Sequence, residues 1–115
     1  MRRHETKSLY LIRAVLDKIV RSPDPREPIA AALTWARHFG EQRPNDLWLA
    51  RWSQLLERAL DGGDADLERL YDVMLDPSER GIDMRQSSPW AGVLTVQERT
   101  KALLDFEKQW KHDHG

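Results

Sequence analysis

Four histidines, an acidic run from Asp61 to Asp72 and a few serines are the side chains here that chemistry most often recruits; cysteine is absent. His4, His112 and His114 lie near the chain ends, where order is scarce. His112-Asp113-His114 has the donor atoms to catch a divalent ion, although a chance polar tail is the better account of it. His38 falls near the end of a predicted helix, where an imidazolium complements the C-terminal dipole. Asp61-Gly62-Gly63-Asp64-Ala65-Asp66-Leu67-Glu68 superficially suggests calcium. A calcium loop needs glycine sixth and glutamate twelfth, whereas here Gly63 is third and Asp72 twelfth.

Asp64, Glu68 and Asp72 recur at helical spacing, which puts three carboxylates on one face. Such a stripe could hold magnesium or do acid–base work. No histidine or lysine anchors a site beside it, so it reads as a solvated face. Ser53 sits mid-helix, and Ser87-Ser88 lacks the glycine elbow of a nucleophile. Phosphate-loop and dinucleotide fingerprints are missing. The sequence therefore predicts no catalytic residue, no metal ligand and no cofactor, and the chain reads as non-enzymatic.

The elements that carry these residues are helices. Ser22-Pro23-Asp24-Pro25-Arg26-Glu27-Pro28, Gly40 to Asn45, Gly62-Gly63, Asp76 to Gly81 and Ser87-Ser88-Pro89 are breakers. Between them apolar residues recur once per turn. Leu9, Ile12, Val15, Leu16, Ile19 and Val20 form the first stripe; Ile29, Leu33, Ala36 and Phe39 form the second, with Pro28 at its first position and Gly40 as its stop. Asn45 is placed to cap a third, which carries Leu47, Trp48, Trp52, Leu55, Leu56, Ala59 and Leu60. A fourth opens at Asp64 and runs through Leu67, Leu70, Tyr71 and Met74. The last starts with the capping box Thr95-Val96-Gln97-Glu98 and buries Val96, Leu103, Phe106 and Trp110. Strand signals are nearly absent. The expectation is one all-α domain over residues 1–115, a compact array of about five short helices, with 1–7 and 112–115 as mobile tails.

Composition narrows the setting. A chain of 115 residues can bury about two-thirds of its unfolded surface in one core. Without cysteine, a reducing compartment is the natural home. No apolar run suits a membrane span or signal peptide, so a cytoplasmic protein is expected. Thirteen arginines against five lysines suggest a GC-rich bacterial genome. Charge is uneven: residues 1–43 carry nine Lys/Arg against five Asp/Glu, and residues 44–83 carry four against ten. The third and fourth segments could mimic a helix-turn-helix, but the would-be reading helix holds Asp64, Asp66, Glu68 and Asp72 against Arg69 alone, and phosphate would repel it.

Five tryptophans are the remaining signal, since tryptophan and arginine anchor protein interfaces. Trp48, Trp52 and Trp110 fall on core stripes. Trp35 lies off the main line of its helix, and Trp90 belongs to an apolar loop, Ser87 to Leu94, without helical spacing. A loop so apolar must cover something: its own helices, like a lid, or another subunit. The predicted function is protein binding or regulation through contact residues Trp35, Arg85, Trp90, Val93 and Leu94, with another protein or a second copy as partner. Nucleic acid is a less favoured partner. The alternatives are a toxin–antitoxin or gene-regulation accessory, and a metal enzyme built on the acidic stripe.

Overall fold

Asp46 caps the helix that follows it: one carboxylate oxygen, Oδ1, accepts from the backbone N–H groups of both Trp48 and Leu49, at 3.0 and 3.2 Å. The computed structural model describes residues 2–114, so Met1 and Gly115, the ends of the two expected tails, lie outside the described residues. Six α-helices follow one another: α1 (Arg3–Arg21), α2 (Arg26–Gln42), α3 (Leu47–Asp61), α4 (Asp64–Met74), α5 (Glu79–Gln86) and α6 (Val96–His114). A single 3-10 turn, Trp90–Gly92, stands between α5 and α6, and no strand occurs among the described residues. The chain is all-α, as the periodicity predicts, with one helix more than the stripes mark.

Two antiparallel pairs organise the array. In α2 and α3, Arg37 reaches Glu57 and Arg26 reaches the Leu60 carbonyl, so the helices run in opposite directions. In α1 and α6, Arg3 pairs with Glu107 at one end and Lys18 with Glu98 at the other. The core lies where these pairs meet α4. It is built from Ile12, Val15 and Ile19 of α1, Ile29, Ala32, Leu33 and Ala36 of α2, Trp52, Leu55, Leu56 and Ala59 of α3, and Leu70 and Met74 of α4, completed by Met84 of α5 and by Trp90 and Val93 beyond it. The molecule measures 45 × 35 × 25 Å. Among the described residues, no helix is long and apolar enough to cross a membrane.

Several local expectations need correcting. The cap of α3 is Asp46, not Asn45, because the carboxylate one residue on stands where it reaches two orphan donors at once. α2 runs past Gly40 to Gln42, since a glycine inside the last turn weakens a helix without ending it. Val96 is 82% exposed, although its stripe position predicts burial. Glu98, two residues on, faces Lys18 of α1, and residues two apart point to nearly opposite sides of a helix. Val20 and Leu47 are exposed for the same geometric reason, each lying off the buried line of its helix. The capping box itself forms in full: the Thr95 N–H donates to Glu98 Oε1 at 2.9 Å, and the Glu98 N–H donates to Thr95 Oγ1 at 3.1 Å. Helix also reaches nearer to both ends than the stripes indicate, from Arg3 and to His114.

The unforeseen helix, α5, has the sequence Glu79-Arg80-Gly81-Ile82-Asp83-Met84-Arg85-Gln86, with no apolar stripe. Ser78 caps it by accepting from the Gly81 N–H at 3.3 Å, and burial of Gly81, Met84 and Arg85 holds it in place. For so short a helix, tertiary packing decides.

Candidate functional site

The segment after α5 determines what the surface offers. Ser87 Oγ donates to Asp46 Oδ2 at 3.1 Å, tying the segment to the cap of α3. Ser88 Oγ then accepts from the Trp90 N–H at 3.2 Å, which starts the 3-10 turn. The turn drives the Trp90 indole inward, edge to face with Trp52, ring centres 5.6 Å apart and planes at 86°. Farther on, Lys18 Nζ donates to the Val93 carbonyl and to Glu98 Oε1, both at 2.7 Å. One lysine of α1 thereby clamps the end of the segment and the start of α6. Residues 87–94 fold back as a lid over the chain's own helices.

This placement decides how each predicted contact residue is presented. Trp90 is 3% exposed and Val93 is buried with it, so neither side chain is presented to a partner. Arg85 is no polar rim; it is 3% exposed, with Nη1 donating to the carbonyls of Met74 and Asp76 at 3.2 and 2.7 Å. Leu94 is half-buried against the core. Only Trp35 reaches the surface, at 39% exposure, stacked on Phe39 at 5.5 Å with His38 edge-on at 5.8 Å. Its indole lies directly over Gly92, where a Cβ would fall 2.5 Å from two of the ring carbons. Glycine is required there by close approach.

The other candidates do not converge. Asp64, Glu68 and Asp72 are all exposed along α4. Among the described residues, no three His, Asp or Glu side chains come together as a metal would need. His38 is exposed, within 3.3 Å of Gln42. His114 stacks on Trp110, centroids 3.7 Å apart, at the end of α6.

The lid instead forms one wall of a groove of about 930 Å³ between α1, the start of α2 and α6. Ala14, Ala31 and Ala102 give it a floor of small residues, with Tyr10, Gly92, Val93 and Leu94 beside them. Charges of both signs edge it: Arg13, Lys18, Arg21 and Lys101 against Asp17, Glu27, Glu98 and Asp105. The stripe reading missed this groove because its lining comes from positions that no single helix pattern marks. The small residues at 14, 31 and 102 are its only trace in the sequence.

The clamp also sets a pH response. The Lys18 ammonium and then the Thr95 N–H hold the Glu98 carboxyl below its usual range. The Ser78 backbone N–H does the same for Asp76, helped by the Ser78 hydroxyl and by Arg85 and Arg80. Both carboxyls bind protons less readily folded than unfolded, so their contribution is full above the ordinary carboxylate range and is lost as pH falls through their lowered values. Native chain and Glu98→Gln should therefore differ in urea midpoint at pH 6 and converge as the medium is acidified toward pH 3. A gap that stays constant or widens on acidification contradicts the clamp.

No protein-family model, curated protein or solved structure matches the chain.

Proposed function

We propose that this chain is a non-enzymatic binding domain that takes an α-helix of a partner protein into the groove between α1, α2, the lid and α6. The observation that carries this reading is the floor of the groove. Ala14, Ala31 and Ala102 leave room for a helix to approach the backbone closely, and Tyr10 and Leu94 offer apolar contact along the way.

Its rim favours a protein over a nucleic acid. Lys18 is paired with Glu98 and Arg21 with Asp17, while Arg13, Lys101, Glu27 and Asp105 enter no ion pair among the described residues. Two cations and two carboxylates match a helix of mixed charge, and the carboxylates oppose a phosphodiester backbone. A second copy of this chain fits less well than a different protein. The exposed large apolar residues, Val20, Trp35, Leu47, Leu75, Val96 and Leu104, are spread over five parts of the fold, whereas a stable homodimer face concentrates them. The lack of cysteine and the excess of arginine make the cytoplasm of a bacterium the setting we infer for this activity.

The expected result is a monomer by solution mass at every concentration tried, together with a co-purifying protein from the producing cell that is lost in Ala31→Trp. Ala31 is half-buried on α2 and faces the groove, so the new indole fills it while the melting temperature stays near that of the native chain. Self-association, or the same co-purifying protein with and without the indole, contradicts the reading.

A further inference from the structure

Each of the helices α1 to α5 gives at least one residue to the core, and α6 gives none. No apolar side chain of α6 packs against that core either, although the helix runs for 19 residues. Among the described residues, α1 is the one helix that α6 packs along. Two of its side chains are buried, Ala102 and Phe106, and both are buried outside the core.

Phe106 is the anchor of this contact. Its ring stands edge-on to Tyr10 of α1, centres 5.6 Å apart, with the Arg3 guanidinium 5.2 Å from it. Arg3 also pairs with Glu107, but both side chains are half-exposed, where an ion pair adds little. The ring contacts of Trp110 are with Phe106 and His114, which belong to α6 itself. The start of the helix is held otherwise. Lys18 ties Glu98 to the Val93 carbonyl, and the Thr95–Glu98 capping box closes the first turn. Beyond Glu98, then, α6 rests on one buried ring and one alanine.

This weakly held part lies beside the groove. Lys101, Ala102 and Asp105 of α6 line it, together with Glu27 and Ala31 of α2 and Ala14 of α1. The core is complete without α6, so lifting that helix from α1 opens the groove and takes nothing from the rest of the fold.

We propose that α6 is a releasable wall of the groove. Beyond Glu98 it comes off α1 as a unit while the core stays folded, and it closes again over the helix that the groove takes. Proteins open in such units at free energies below that of global unfolding. Release is a property of the chain alone; only its use, admitting a partner helix, rests on the proposed function. Most helical stability in proteins comes from packing, so a released α6 frays and exchanges its amide hydrogens.

Native-state hydrogen exchange on the free chain, read by mass spectrometry, tests the release with no partner present. Amides of α6 from residue 102 to residue 110 should exchange at least about tenfold faster than those of α3, as a sub-global opening allows. Ile29→Val thins the core without emptying it. It should speed exchange in α3 by about twofold to tenfold, the usual effect of one lost buried methylene, and leave α6 unchanged. Phe106→Ala removes the anchor, so α6 should exchange like unfolded chain while α3 keeps its slow exchange. Equal protection of α6 and α3, an Ile29→Val effect of the same size in both, or an α3 that loses protection along with α6 in Phe106→Ala would each overturn the proposal. A failure here leaves the occupant of the groove undecided, and a groove without a partner leaves the release standing.

Discussion

Trp52→Ala should lower the unfolding free energy by about 3–5 kcal/mol, the cost of truncating a fully buried large aromatic. Trp52 sits at 0% exposure in the middle of α3 and joins three parts of the fold. It packs in the core shared by α1, α2 and α4, its ring supports Trp90 of the lid, and its Nε1 donates to the Met84 carbonyl of α5 at 2.7 Å. Truncation leaves a void, removes the seat of the lid and strands a buried acceptor. Small domains hold a total of about 5–15 kcal/mol, so the variant should be unfolded in part at 37 °C. Trp52→Phe separates the contributions: it keeps most of the packing and should lose about 1–3 kcal/mol, chiefly for the unpaired carbonyl. Urea titration followed by circular dichroism reads both values. A loss under 1 kcal/mol for the alanine variant means that the lid and α5 do not depend on this residue.

The second large effect comes from adding one carbon atom. Gly81→Ala replaces a glycine with the best helix former, so propensity alone predicts a gain in stability. The surroundings reverse the sign. A Cβ on Gly81 would meet the Asp76 carbonyl oxygen, and would lie 2.7 Å from Asp76 Cβ and 2.8 Å from its carbonyl carbon. Two of those three atoms are backbone and cannot swing aside. The same carbonyl oxygen accepts from Arg85 Nη1, so pushing it outward also disturbs the buried guanidinium. The expected change is a loss of about 1–3 kcal/mol, the usual cost of overpacking. A stabilised Gly81→Ala would show that α5 does not pack against the turn after α4.

Both residues show how far a one-dimensional pattern reaches. Trp52 is legible because its stripe, Trp52, Leu55, Leu56 and Ala59, repeats once per turn and buries as a unit. The capping box at Thr95 and Glu98 is legible because its two hydrogen bonds join residues three apart in the chain. What escapes is anything settled by distant neighbours. α5 has no stripe, and its burial depends on Met84 and Arg85 meeting helices far away in sequence. Trp90 reads equally well as lid or interface until the Trp52 ring appears beneath it. Arg85, taken as a rim residue for its charge, turns inward because the carbonyls of Met74 and Asp76, left open at the end of α4, lie within its reach. The groove draws on α1, α2, the lid and α6, so it leaves no motif.

The most direct test of the account is where a partner touches the chain. A photo-crosslinking residue at Ala31, in the groove, should join the chain to a helical segment of another protein in the producing cell. The same residue at Asp72, on the exposed face of α4, should not. Equal labelling from both positions, adducts to nucleic acid, or no protein adduct from position 31 would contradict the groove as the binding surface.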